Sequence, residues 1–98
     1  MTGLQPKETL LVGKWELIGG RVQKDPTEER IERLIGSSLE KVVTIAGGWQ
    51  TLYRDPGDGR YWELTFPQSE LHGGGPRTLR YIEQSEAKNK YGIPTRER

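Results

Sequence analysis

The 98-residue chain has no cysteine. Disulfides, thiolate catalysis and Cys-ligated zinc are therefore excluded. A single histidine, His72, leaves a transition-metal site to be assembled from it and carboxylates alone. Charge of one sign is also lacking: 15 basic and 14 acidic residues give a net charge of +1. That balance argues against a dedicated nucleic-acid binder, which needs a basic patch to neutralise phosphates, and against an acidic imitation of DNA. No run is long and apolar enough to span a bilayer, and the opening residues lack the apolar centre of a signal peptide. A cytoplasmic protein without membrane contact is expected.

What the chain does have is aromatic bulk. Three Trp, four Tyr and one Phe supply a core that a hydrophobic content of 32% otherwise makes thin, since each large ring buries on the order of 150–250 Å². One domain is expected over residues 9–92, with a flexible lead-in at 1–8 and a flexible tail at 93–98.

The first apolar run starts at Thr9. The stretch around Trp15-Glu16-Leu17-Ile18 reads as a strand that stops or bulges at Gly19-Gly20 and resumes through Arg21-Val22-Gln23, with Trp15 as a core anchor. A helix is predicted near 26–35. Asp25 serves as N-cap, Pro26 takes the first helical position, and Glu28 lies three residues after the cap. Ile31, Leu34 and Ile35 share one face, Glu29 and Arg33 form a pair on the other, and Gly36 supplies a left-handed stop. Leu39 to Ala46 reads as a strand. Residues 49–54 and 60–66 flank Asp55-Pro56-Gly57-Asp58-Gly59 as the arms of a hairpin. Period two in the second arm puts Trp62, Leu64 and Phe66 toward the core and Tyr61, Glu63 and Thr65 outward. Thr78 to Ile82 forms the last strand, and Ser85 caps a short helix closed by Gly92. The expected fold is α+β: an antiparallel sheet of about five strands in the order β–α–β–β–β–β, one main helix on one face, and a short C-terminal helix.

Several strings suggest chemistry. His72-Gly73-Gly74-Gly75 matches the oxyanion-hole string of lipases, but no Gly-x-Ser-x-Gly elbow or large α/β sheet accompanies it. The Asp55–Gly59 loop has acidic residues yet lacks the distal glutamate of a calcium loop, and turn chemistry accounts for it. Glu63 and Glu70 suggest an acid–base pair, or carboxylate ligands beside His72, but no spacing fixes their separation. Gly13-Lys14-Trp15 is similar to the opening of lipocalin-type barrels, which need a longer chain without an interrupting helix. Outward-facing Tyr61 and Glu63, with Tyr53 beside them, fit either a protein interface or simple cover for the sheet's second face.

One longer order of residues is more specific. Leu11-Val12-Gly13-Lys14-Trp15-Glu16, then Arg30-Ile31-Glu32, then the string from Gly48-Trp49 through Leu52-Tyr53-Arg54-Asp55-Pro56 and Asp58-Gly59-Arg60-Tyr61-Trp62-Glu63-Leu64-Thr65-Phe66-Pro67 to Ser69-Glu70, His72 and Gly75-Pro76 resembles immunity protein 27. This is a family of small bacterial immunity proteins from polymorphic toxin systems. The resemblance spans about residues 9 to 83, and Phe66 stands where many members carry Tyr. It implies a non-enzymatic protein that needs no cofactor or metal, and that binds and neutralises a cognate toxin domain as a monomer or homodimer. The expected contact residues lie on the 49–63 hairpin and the 68–76 loop: Tyr53, Asp55, Asp58, Arg60, Tyr61, Glu63, Glu70 and His72. Asp55 and Asp58 would oppose basic groups of a nuclease site; Arg54 and Arg60 would oppose carboxylates. Two other readings remain open: a small-molecule-binding or enzymatic domain built on Glu63, Glu70 and His72, and a structural or oligomeric module.

Overall fold

In a computed structural model, residues 4–68 and 75–93 are described. Seven strands and two helices follow in the order β1 (Leu10–Val12), β2 (Trp15–Ile18), β3 (Arg21–Lys24), α1 (Pro26–Arg33), β4 (Glu40–Ile45), β5 (Gln50–Arg54), β6 (Tyr61–Thr65), β7 (Thr78–Ile82) and α2 (Gln84–Tyr91). Five strands form one antiparallel sheet in the spatial order β1-β7-β6-β5-β4, while β2 and β3 form a separate two-stranded ribbon. The fold is α+β, as the sequence predicts, with five strands in the main sheet.

The hairpin of β5 and β6 lies at the centre of that sheet. Tyr53 is opposite Trp62, and Leu52 opposite Glu63. Asp55 closes its loop: its carboxylate accepts from the Gly57 N–H (2.8 Å), and its carbonyl accepts from the Gly59 N–H (2.7 Å). The Asp-Pro-Gly-Asp-Gly string is thus used for turn geometry. Gly59, at φ 81, occupies the left-handed region that a side chain would disfavour.

One face of the sheet packs under α1. Ile31 and Leu34 meet Leu11, Tyr53, Trp62, Leu64 and Leu79 there, with Ile35, Phe66 and Tyr81 at the margin. The helix starts as predicted, with the Asp25 carboxylate accepting from the Glu28 N–H at 2.7 Å. Its end differs. Gly36 is not a left-handed stop; the chain runs on through a wide turn, Leu34–Ser38, closed by the Leu39 N–H on the Leu34 carbonyl (2.8 Å). No ion pair joins Glu29 to Arg33; Arg30 instead pairs with Glu8.

The second face corrects the expectation of an open surface. α2 lies across it, and Ala87 and Tyr91 bury Leu52, Tyr61 and Ile82. Ser85 is not the cap, since the helix begins at Gln84 and Glu83 occupies the cap position. Gly92 ends the helix at φ 69, as predicted. Both faces of β6 are therefore buried, and the period-two pattern of its sequence separates two cores, not core from solvent.

Candidate functional site

Three arrangements bear on function: a buried carboxylate, a hub at the start of α1, and the two-stranded ribbon that the hub carries.

Glu63 is the buried carboxylate, 1% exposed. One of its oxygens accepts from Arg80 (2.7 Å), and the other from the Tyr91 hydroxyl (2.7 Å) while pairing with Lys90. Arg80 also reaches Glu86. Burial disfavours the Glu63 charge, but the hydrogen bonds from Lys90, Tyr91 and Arg80 outweigh it and hold the carboxyl below its ordinary value. Burial and the neighbouring carboxylate push the Tyr91 hydroxyl up in turn. An ionised carboxylate with both oxygens occupied is a weak proton donor and a weak base. What the cluster does well is fasten α2 to the sheet.

This burial revises the expected contact surface. Tyr53 (5% exposed), Asp55 (1%), Tyr61 (9%) and Glu63 are inside the free protein, where they shape the fold. Tyr61 and Glu63 face α2, whereas Tyr53 lies in the α1 core. Asp58 is exposed and accepts from the Arg60 backbone N–H (2.9 Å) and Nε (2.8 Å). Arg60 stacks 4.9 Å from the Trp62 ring centre and donates to the carbonyls of Gln5 (3.0 Å) and Glu8 (2.8 Å). It thereby ties residues 4–8, where Leu4 is buried, onto the body. Arg54 reaches Glu40. Glu70 and His72 lie outside the described residues, so the described part of the proposed Glu63/Glu70/His72 cluster is Glu63 alone, with its oxygens occupied.

The hub is built from residues predicted for capping. The Asp25 carboxylate accepts from both the Glu28 N–H and the Lys14 N–H (3.1 Å), and the Asp25 N–H returns a bond to the Lys14 carbonyl at 2.9 Å. Because that N–H is taken, Glu28 does not complete a capping box. Its side chain, 2% exposed, turns to Arg77 instead, accepting from the backbone N–H (2.9 Å) and Nε (2.7 Å). Gly13 lies against this pair and donates to the Arg77 carbonyl (2.8 Å). A Cβ on Gly13 would fall 2.2 Å from a Glu28 oxygen. The Gly-Lys-Trp string thus has a use unrelated to barrels: it lets the chain pass close over the helix start.

From the hub rises the ribbon. β2 and β3 pair from Trp15↔Lys24 to Ile18↔Arg21. Gly19 (φ 58) and Gly20 (φ 78) make the two-residue turn, whose positive φ angles suit the twist of a hairpin. Every residue from 16 to 24 is exposed. Leu17 (74%) and Val22 (65%) face each other across the ribbon, and Ile18 (51%) lies on its other side. Trp15 is half-buried at the root, on this ribbon and not as an anchor of the main sheet. Beside the root, an open groove of about 400 Å³ is lined by Lys24, Glu29, Glu32 and Arg33. The ribbon was not expected as a separate element, because Gly19-Gly20 reads equally as a stop or bulge within one strand. Two glycines between two strand-like runs are also the signature of a tight hairpin.

The family model of immunity protein 27 matches residues 17–83, well over half of the chain. The chain belongs to the immunity protein 27 family. No curated protein and no solved structure gives a significant match. In this immunity protein 27 member the matched span begins at Leu17 within the ribbon and takes in Asp25, Glu28 and Arg77 of the hub and the strands from β3 to β7, while Gly13, Lys14 and α2 lie outside it.

Proposed function

We propose that the protein binds a bacterial toxin domain and neutralises it by direct protein–protein contact, in the cytoplasm of the cell that makes it. The observation that carries this reading is the family match over residues 17–83. The architecture supports it. Glu63, the one described member of the expected reactive cluster, is an internal ion with its oxygens taken. The apolar surface that this small protein displays to solvent is, by contrast, the sort of feature that protein partners cover. Of the residues expected at the contact, Asp58 and Arg60 remain at the surface; Tyr53, Asp55, Tyr61 and Glu63 serve by holding the hairpin rigid.

The test is co-expression with the toxin encoded beside it, and pull-down of the toxin's inactivated domain. Rescue of growth together with a stable one-to-one complex is the expected result. The absence of both rescue and binding would overturn the proposal.

A further inference from the structure

We infer that the β2–β3 ribbon is the element that enters the toxin, and that its receptor is an apolar-walled cleft bearing a carboxylate that meets Arg21. This inference rests on the immunity reading above and names the contact within it.

Four observations converge. First, the ribbon displays Leu17, Val22 and Ile18, three of the most exposed large apolar side chains in the described protein. A two-stranded ribbon whose apolar cross-strand pair touches no core gains nothing for its own fold from those residues, and an uncovered apolar edge is an aggregation hazard. Second, the ribbon is set in place before it meets anything. Gly19 and Gly20 fix its tip in a two-residue turn, and Asp25 fixes its root by bonding Lys14 at both the N–H and the carbonyl. A contact element held in its bound shape loses little entropy on association.

Third, the charge is arranged along the ribbon. Lys24 at the root is already paired with Glu32. Arg21 at the tip, directly opposite Ile18, and Lys14 below have no ion-pair partner among the described residues; Glu16, set back from the tip opposite Gln23, is the ribbon's single carboxylate. The tip is thus apolar with one free guanidinium. Arginine in that setting pairs with a carboxylate through two parallel hydrogen bonds, and it is a preferred anchor at the centre of tight interfaces. Fourth, Tyr53, Asp55, Tyr61 and Glu63 of the hairpin surface expected from sequence are buried, and the ribbon carries three of the seven exposed large apolar side chains among the described residues, including the two most exposed, Leu17 and Val22. The complementary site is therefore acidic and apolar, in contrast to the basic groove that a nucleic-acid-cleaving site would offer to Asp55 and Asp58.

The test uses the whole protein and the inactivated domain of the neighbouring toxin, with affinity measured by calorimetry at two salt concentrations. Leu17→Asp and Val22→Asp should each weaken binding by about 100-fold or more while leaving the thermal midpoint unchanged, because both positions are solvent-exposed in the free protein. Arg21→Glu should weaken it by at least about tenfold and flatten its salt dependence. If wild-type protein binds and these variants bind within about threefold of it, the ribbon inference fails and the immunity reading stands. If Arg21→Glu binds more tightly, the acidic receptor is wrong. If the free protein sediments as a dimer that Leu17→Asp converts to monomer, the ribbon's occupant is a second copy and the inference also fails. Absence of wild-type binding would sink the immunity reading and this inference with it.

Discussion

Glu63 illustrates how one residue's environment overrides its sequence context. It sits where alternation marks an outward position, yet it is inside because α2 brings Lys90 and Tyr91 over it while β7 brings Arg80 alongside. Glu63→Gln keeps the shape and loses the charge. Its NH₂ then faces cations that can donate but not accept, although Arg80 and Lys90 are exposed enough to recover some water. A loss of about 1–3 kcal/mol in denaturant-derived stability is expected. Glu8 offers a test with a pH sign. The Arg30 side chain, hydrogen-bonded to Glu8, lowers its carboxyl from 4.5 to about 2, against a smaller opposing effect of burial. The folded protein therefore holds this proton less tightly than the unfolded chain. The resulting stability is present in full above pH 4.5 and is lost as the pH falls through about 2. Wild type should exceed Glu8→Gln by up to about 1 kcal/mol near neutrality, the scale of a partly exposed ion pair. The two denaturation curves, measured across this range, should converge toward pH 2. A constant offset would show that Glu8 acts through packing and not through its charge.

Among the elements, α1 and its surroundings show best how local chemistry is turned to tertiary use. The Asp25-Pro26 start was legible because capping is a local demand, and the inward face of Ile31 and Leu34 was legible because helical period is local too. The side chain of Glu28 was not. Local rules direct it back to the cap, and it is drawn instead to Arg77, a residue 49 positions away whose approach depends on the sheet. The β5–β6 hairpin and β7 were likewise readable from their turn residues and β-branched or aromatic content. The cover over their second face was not, because α2 has few apolar residues and its docking rests on Ala87, Tyr91 and ion pairs. For want of that cover, Tyr61 and Glu63 were expected on the contact surface, whereas both are buried beneath α2. Gly13 tests the hub. Gly13→Ala would press a methyl group to 2.2 Å from a Glu28 oxygen and 2.9 Å from the Arg77 carbonyl. Since both neighbours are held by the Glu28–Arg77 ion pair, a cost of about 1–3 kcal/mol is expected by thermal or chemical unfolding. An unchanged stability would mean that the hub yields freely.

At the scale of the whole molecule, the described residues divide into a sheet buried on both faces and a ribbon buried on neither, in a body measuring 52 × 30 × 19 Å. This division predicts a gradient of local stability. Opening β5, β6 or β7 exposes Leu52, Trp62, Leu79 and Ile82 at once, so their amides should exchange only with global unfolding. Opening the ribbon exposes almost nothing that is not already wet; what it breaks is the β2–β3 ladder and, if it frays to its root, the Lys14–Asp25 bonds. Amides from Glu16 to Lys24 should therefore exchange at least about 100-fold faster than those of β6 in the free protein. Slow exchange throughout the ribbon would instead reveal that the free protein already covers it, as a dimer would. With a toxin domain bound, the same measurement acquires a direction. A partner that binds the folded form protects every amide that opens globally, in proportion to its occupancy, but it protects local openings only where it touches or where they are incompatible with binding. Extra slowing across Leu17–Val22, beyond that global increment, would place the partner on the ribbon without any substitution being made.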